Sequence, residues 1–257
     1  MLPGKLKGNR NGIMKDRPFR SPHHTVSQIG LIGGGRIPKP GEISLAHNGV
    51  LFLDEFPEFN KNTLEVLRGP LEDKQVSISR LYGTLTYPCN FMLIASMNPC
   101  PCGYYGSKDK NCNCTETQIK RYKSKISGPL LDRIDIQVSV SNVKYDDFEN
   151  KGGTSSKVIK ERVNKARNIQ VERYKKFNIY SNSELSQKLI EVFCILDIES
   201  KQILEKYFEK LKLSARAYSR ILKVARTIAD LDESKNIEQN HILEAISLSR
   251  NIESENK

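Results

Sequence analysis

Asp54 and Glu55 are adjacent carboxylates that close the apolar run Val50-Leu51-Phe52-Leu53. A buried strand holds its last residues rigidly at the edge of a sheet, so this is a Walker B arrangement suited to phosphoryl transfer. Asp54 would hold Mg2+ through its water shell, and Glu55 would polarise the attacking water as general base. Strand ends carrying two acids also occur without such a role. A second apolar run, Phe91-Met92-Leu93-Ile94-Ala95, leads to Asn98. Its amide could orient the same water or touch a γ-phosphate, and before Pro99 it could equally serve as a turn residue. Cys100/Cys102 and Cys112/Cys114 then form two C-x-C pairs separated by nine residues. Four thiolates suffice for a closed tetrahedral Zn2+ site. The spacing is tighter than the usual metal knuckle, and reduced thiols or a redox pair are the alternatives. Arg133 follows a turn in Ser127-Gly-Pro-Leu-Leu-Asp-Arg-Ile-Asp135. It could pair with Asp132 or Asp135, or reach the phosphate of another subunit.

Other reactive types carry weaker signals. His23-His24 lie in a Pro-bounded loop and could meet metal or phosphate, but no second ligand pair is placed near them by sequence. Lys120, Arg121, Lys123 and Lys125 form a basic string that could line a DNA path or simply be a solvated helix face. Cys89 and Cys194 read as packing residues.

The elements that must position these groups follow from periodicity. The first fifty residues are dense in Gly and Pro and read as loop and turn. The runs at 50–53 and 91–95 read as parallel strands buried on both faces. Between them the pattern predicts one helix from Asn60 to Leu71, then a hairpin of Val76-Ser-Ile-Ser, a Tyr82-Gly83 turn and Thr84-Leu-Thr-Tyr87. Alternation over Ile134-Asp-Ile-Gln-Val-Ser-Val140 predicts a third strand. Residues 144–156 are polar and rich in Gly and Ser, as expected of a linker. Beyond them Ile159, Val163 and Ala166 share a helix face, as do Tyr218, Leu222, Ala225 and Ala229, and Ile242, Ala245 and Ile246. Asn236 and Gln239 have the spacing of a capping box for the last helix. The expected layout is an α/β portion over 1–143, a linker over 144–156 and an all-α domain over 157–257.

Composition bounds the answer. The 257 residues are 38% hydrophobic and 28% charged, and no run approaches the roughly 20 apolar residues of a membrane-spanning helix. No secretion signal is evident at the start, so the expected location is the cytoplasm with no membrane partner. The net charge of +11 is uneven: residues 1–50 hold 8 basic against 2 acidic groups, 51–150 hold 12 against 13, and 151–257 hold 21 against 15. Such a field favours polyanions, although lysine-rich solubility explains it as well.

Four segments together resemble the Mg-chelatase-like AAA+ ATPases of the ComM/YifB type. They are Arg17-Pro-Phe-Arg-Ser-Pro-His-His-Thr25, Gly41-Glu-Ile-Ser-Leu-Ala-His-Asn-Gly-Val-Leu-Phe-Leu-Asp-Glu55, Ser127-Gly-Pro-Leu-Leu-Asp-Arg133 and Ala225-Arg-Thr-Ile-Ala-Asp230. The resemblance implies ATP and Mg2+ as cofactors, with Asp54 and Glu55 as Walker B and Asn98 as sensor 1. It implies Arg133 as an arginine finger acting in trans, and Arg216 in Leu213-Ser-Ala-Arg216 as sensor 2 on a helical lid. It implies a partial AAA+ core, a homo-oligomeric ring, commonly a hexamer, and DNA as partner in uptake and recombination by branch migration. The hairpin would face the central pore, making Arg80 and the basic N-terminal loops candidate DNA contacts. A similar chelatase subunit powers magnesium insertion into porphyrin, which leaves a metal-insertion motor as one alternative and a non-catalytic ring subunit as another.

One departure from that pattern stands out. A phosphate cradle needs G-x-x-x-x-G-K-S/T on a strand-to-helix turn. Gly30-Leu-Ile-Gly-Gly-Gly35 has the glycines but continues as Arg36-Ile37, and Gly4-Lys5 lacks the upstream glycine. The chain therefore reads as the C-terminal half of a longer protein, with weak or no nucleotide binding of its own.

Overall fold

A computed structural model of the chain describes residues 16–80, 83–107, 110–140 and 153–249. They fall into two compact units divided after Ile134.

The first unit opens with short pieces, as its Gly and Pro content requires: β1 (Phe19–Arg20), α1 (Gln28–Ile32), β2 (Gly33–Gly34), β3 (Lys39–Pro40) and α2 (Glu42–Leu45). There follow β4 (Val50–Leu53), a 3-10 turn at Phe56–Glu58, α3 (Lys61–Glu65), α4 (Arg68–Asp73), β5 (Gln75–Arg80), β6 (Gly83–Pro88), β7 (Met92–Ala95), α5 (Glu116–Lys123) and α6 (Gly128–Leu131). β4 is the middle strand of a parallel sheet ordered β1-β4-β7. Its register with β7 runs from Val50 opposite Met92 to Leu53 opposite Ala95. β5 and β6 form the expected antiparallel hairpin, from Gln75 opposite Pro88 to Arg80 opposite Gly83. Tyr82, the expected first turn residue, lies outside the described residues.

Three expectations are corrected here. The single helix over 60–71 is two helices, because Pro70 has no N–H to donate to the Val66 carbonyl and the first helix ends before it. Residues 134–140 pair with no strand among the described residues. Ile136, Val138 and Val140 stay exposed there, so their alternation has no buried face to serve. The sheet is covered on one face only among the described residues. Leu51 and Leu53 are fully buried with Leu31, Ile43, Phe56, Leu64, Leu67 and Leu130, whereas Phe19, Met92 and Ile94 are exposed and Val50 and Phe52 half-buried.

The second unit is helical, as expected: α7 (Ser156–Tyr174), α8 (Gln187–Phe193), α9 (Ile198–Leu211), α10 (Ala215–Leu231) and α11 (Gln239–Leu248). Most of the expected linker, 144–152, and the boundary at 143 lie outside the described residues. α10 buries Leu222, Ala225 and Ala229 on its predicted face, and α11 buries Ile242, Ala245 and Ile246. On α7 only Ala166 of the predicted face is buried, while Ile159 and Val163 remain exposed. The last helix is capped by Glu238 rather than Asn236, its backbone N–H donating to His241 Nδ1 at 2.9 Å.

Asp230, fully buried on α10, is the centre of this unit's polar core. It accepts from Arg173 Nη1 at 2.9 Å, Asn182 Nδ2 at 2.9 Å and Arg226 Nε at 3.1 Å. Arg226 also donates to the Ser234 and Lys235 carbonyls at 2.7 and 3.0 Å, so the charge buried here is paired and satisfied. No described helix is long and apolar enough to cross a membrane.

Candidate functional site

The parallel register that sets Leu53 beside Ala95 also sets the next residues, Asp54 and Ser96, beside each other at the strand tips. The Ser96 hydroxyl donates to Asp54 Oδ1, and the same oxygen accepts the Glu55 N–H at 3.0 Å. The tip is locked further by Phe56 N–H to the Ser96 carbonyl at 2.9 Å and Ser96 N–H to the Leu53 carbonyl at 3.0 Å. Oδ1 is thus oriented by two donors, and no protein donor meets Oδ2 among the described residues. An exposed carboxylate held this way fits a water-mediated Mg2+ contact.

Glu55 turns the chain out of the sheet with φ 50°. That is the left-handed region, uncommon for a residue with a side chain and costing of order 1 kcal/mol. Its carboxylate Oε2 lies 3.2 Å from His24 Nδ1. His24 is seated by an edge-on contact with Phe59, centroids 6.4 Å apart, and by the His23 ring at 4.0 Å. Sequence reasoning had no role for Ser96 and read the histidines apart from the acids. The register of two apolar runs of equal character was the available signal for Ser96; the approach of residue 24 to residue 55 is tertiary.

Asn98 is exposed beyond the β7 tip. Burial raises the Tyr122 phenol of α5 above its ordinary value. Arg133 is folded back rather than extended. Its Nη2 lies 2.6 Å from Glu72 Oε2, its Nη1 donates to the Pro129 carbonyl at 2.6 Å, and the side chain is 13% exposed. Arg216 lies in the other unit, exposed near the start of α10.

The glycine-rich segment is a packing device in this fold. It runs from helix α1 into strand β2, the reverse of a phosphate loop. A Cβ at Gly33 would stand 2.3 Å from the Lys39 carbonyl, and one at Gly41 would stand 2.3 Å from the Gly33 nitrogen. The glycines permit this close backbone approach.

Cys100, Cys102, Cys112 and Cys114 converge, with all four sulfurs within 4.8 Å of one another. All are free thiols, and the backbone N–H groups of Tyr104 and Asn113 hold the Cys102 thiol down to about 6. Of the basic candidates, Lys120 and Arg121 are exposed on α5. Lys123 Nζ lies over the Tyr105 ring at 5.4 Å, and Lys125 pairs with Glu58 at 3.2 Å. Arg80 ends β5, exposed, with Nη1 donating to the Ser79 carbonyl at 2.7 Å.

A parallel sheet that presents acids at its strand tips, interrupted by a hairpin and followed by a helical unit, belongs to the AAA+-like class. Comparison with known proteins narrows that class. The family described as magnesium chelatase, subunit ChlI, matches residues 4–148, and its C-terminal counterpart matches residues 153–249. The chain is therefore a member of the magnesium chelatase ChlI family, of the ComM/YifB type. It is 48% identical over 235 residues to the competence protein ComM of Haemophilus influenzae, covering 90% of this chain and 45% of that protein. Over 235 residues it is 46% identical to the uncharacterized protein YifB of Escherichia coli, covering 91% and 45%. Over 231 residues it is 37% identical to the uncharacterized protein Rv2897c of Mycobacterium tuberculosis, covering 90% and 45%. The chain spans about half the length of the curated relatives it matches.

Proposed function

We propose that this chain supplies the hydrolytic half of a Mg-ATP site in a ring-forming AAA+ motor that acts on DNA. The observation that carries the reading is the joined tip of β4 and β7, where Ser96 orients Asp54 and a left-handed turn presents Glu55 beside His24. Mg2+, when bound, neutralises charge on the phosphate oxygens. Asp54 holds its water shell, Glu55 takes the proton of the attacking water at a carboxylate oxygen, and Asn98 orients that water. Arg133 serves the site of a neighbouring subunit after leaving Glu72, and Arg216 brings a positive charge from the helical unit. No G-x-x-x-x-G-K-S/T motif occurs in the 257 residues. A polypeptide outside them provides the phosphate cradle, and the chain by itself binds Mg-ATP weakly.

That same missing motif favours a second reading, a non-catalytic ring subunit that lends Arg133 to a competent neighbour. DNA as the track rests on the basic residues Arg80, Lys120, Arg121 and Lys123 and on the competence role named for the Haemophilus influenzae relative; a porphyrin-metallation motor is the competing use of this family's fold. Single-stranded DNA binding measured across a salt series tests the choice. The expected result is a linear loss of log affinity with log salt, its slope falling by about 1.4 when Lys120 and Arg121 are both changed to Ala. Absence of binding at low salt overturns the DNA reading.

A further inference from the structure

We propose that Cys100, Cys102, Cys112 and Cys114 hold a structural Zn2+ through their four sulfurs, forming a knuckle that ties the end of β7 to the start of α5.

The described residues of this stretch contain no helix or strand, and Cys100 is the only one of them that is buried. An apolar core does not hold the loop, yet its two C-x-C pairs meet. Sulfur separations are 3.3 Å for Cys100 and Cys102, 3.6 Å for Cys100 and Cys112, and 3.5 Å for Cys102 and Cys112. Four sulfurs at the usual zinc distance from a tetrahedral centre lie about 3.8 Å apart, so Cys100, Cys102 and Cys112 need only a small expansion to accept the ion, with the Cys114 sulfur within 4.8 Å of them. Backbone donors are already aimed at the sulfurs. Tyr105 N–H reaches Cys100 Sγ at 3.3 Å, and Cys114 N–H reaches Cys112 Sγ at 3.4 Å. Gly103, at φ 83°, makes the reversal that brings Tyr105 back over the first pair.

The chemistry selects the metal. Four soft thiolates with no carboxylate or imidazole favour Zn2+ over the hard cations, and a fully occupied tetrahedron leaves no position for substrate or water. A tetrathiolate zinc centre carries net negative charge. Lys110 Nζ over the Tyr104 ring at 5.1 Å and Lys123 Nζ over Tyr105 at 5.4 Å place cations on its flanks.

The position gives the ion its consequence. Asn98 stands two residues before Cys100, and the α5 N-cap Thr115 stands one residue after Cys114, with its hydroxyl accepting from Gln118 N–H at 3.3 Å. The knuckle therefore fixes where the chain leaves Asn98 and where α5 begins.

The test is elemental analysis of the 257-residue chain purified without chelator, joined to hydrogen exchange before and after chelation. About one zinc per chain is expected, falling at least fivefold in Cys112→Ser. Chelation is expected to speed exchange in residues 98–107 and 110–123 while leaving 215–231 unchanged. Less than about 0.2 zinc per chain, a stoichiometric amount of another metal, or disulfides among the four cysteines in the freshly purified chain overturns the proposal. Zinc present with no local change in exchange overturns the structural role. None of these readouts depends on nucleotide hydrolysis.

Discussion

The Ser96 hydroxyl donates to Oδ1 of Asp54, joining the tips of two parallel strands that lie more than forty residues apart in sequence. Asp54 is thereby held in one orientation before any cation arrives. A hydrogen bond to a charged group is worth about 1.5–3 kcal/mol. In this chain joined to the phosphate-loop-bearing segment of a relative, Ser96→Ala should raise the Mg2+ concentration for half-maximal ATP turnover about tenfold. A Mg2+ titration with an unchanged midpoint would show that Ser96 does not orient the acid.

Arg133 is paired with Glu72 inside its own unit, so its action on a neighbour requires that pair to open. Arg133→Ala and Glu55→Gln should each lose turnover. Mixed in equal amounts, the two variants should regain it in part, since about a quarter of adjacent subunit pairs then combine an intact Glu55 with an intact Arg133. A mixture as inactive as its components would place Arg133 outside the trans site.

Asp230 is the common acceptor of Arg173, Arg226 and Asn182. Asp230→Ala leaves Arg226 as a buried charge without its carboxylate and should destabilise the helical unit by about 3–5 kcal/mol in urea unfolding. A loss below about 1 kcal/mol would mean that water replaces the network.

Cys89 and Cys194 lie in the apolar interior of their units, and burial pushes both thiols up to about 11. The reactive thiolate lies below the raised value only as a small fraction, about one part in a thousand at pH 8. Both residues should resist alkylation in the native chain at that pH and react once it is unfolded. Mass mapping of labelled peptides reads this directly, and rapid native labelling of either residue would contradict the packing described.

Much of this arrangement was readable in the residues. Two apolar runs of strand length, each ending in polar groups, gave the β4 and β7 strands and placed Asp54 at a tip, because burial dictates such runs. The four cysteines were legible because thiol chemistry depends on spacing as much as on fold. His24 beside Glu55 was not legible, since that contact is made by packing of an irregular loop with no periodicity. Residues 134–140 misled because alternation reports only that one face is apolar, and a strand also requires an edge to pair with. Pro70 split a helix whose amphipathic pattern runs straight through it. The exposed Met92 and Ile94 mark a sheet face that the apolar run at 91–95 predicts to be covered.

The central claim is that Glu55 is the general base of a site whose phosphate cradle comes from outside these 257 residues. Its most direct test is ATP turnover by the chain alone and by the chain joined to the phosphate-loop-bearing segment of a relative, each beside its Glu55→Gln variant. The account predicts turnover only in the joined protein, reduced about 100-fold or more by the substitution. Turnover by the chain alone at the rate of the joined protein, or a joined Glu55→Gln variant as fast as its parent, would contradict it.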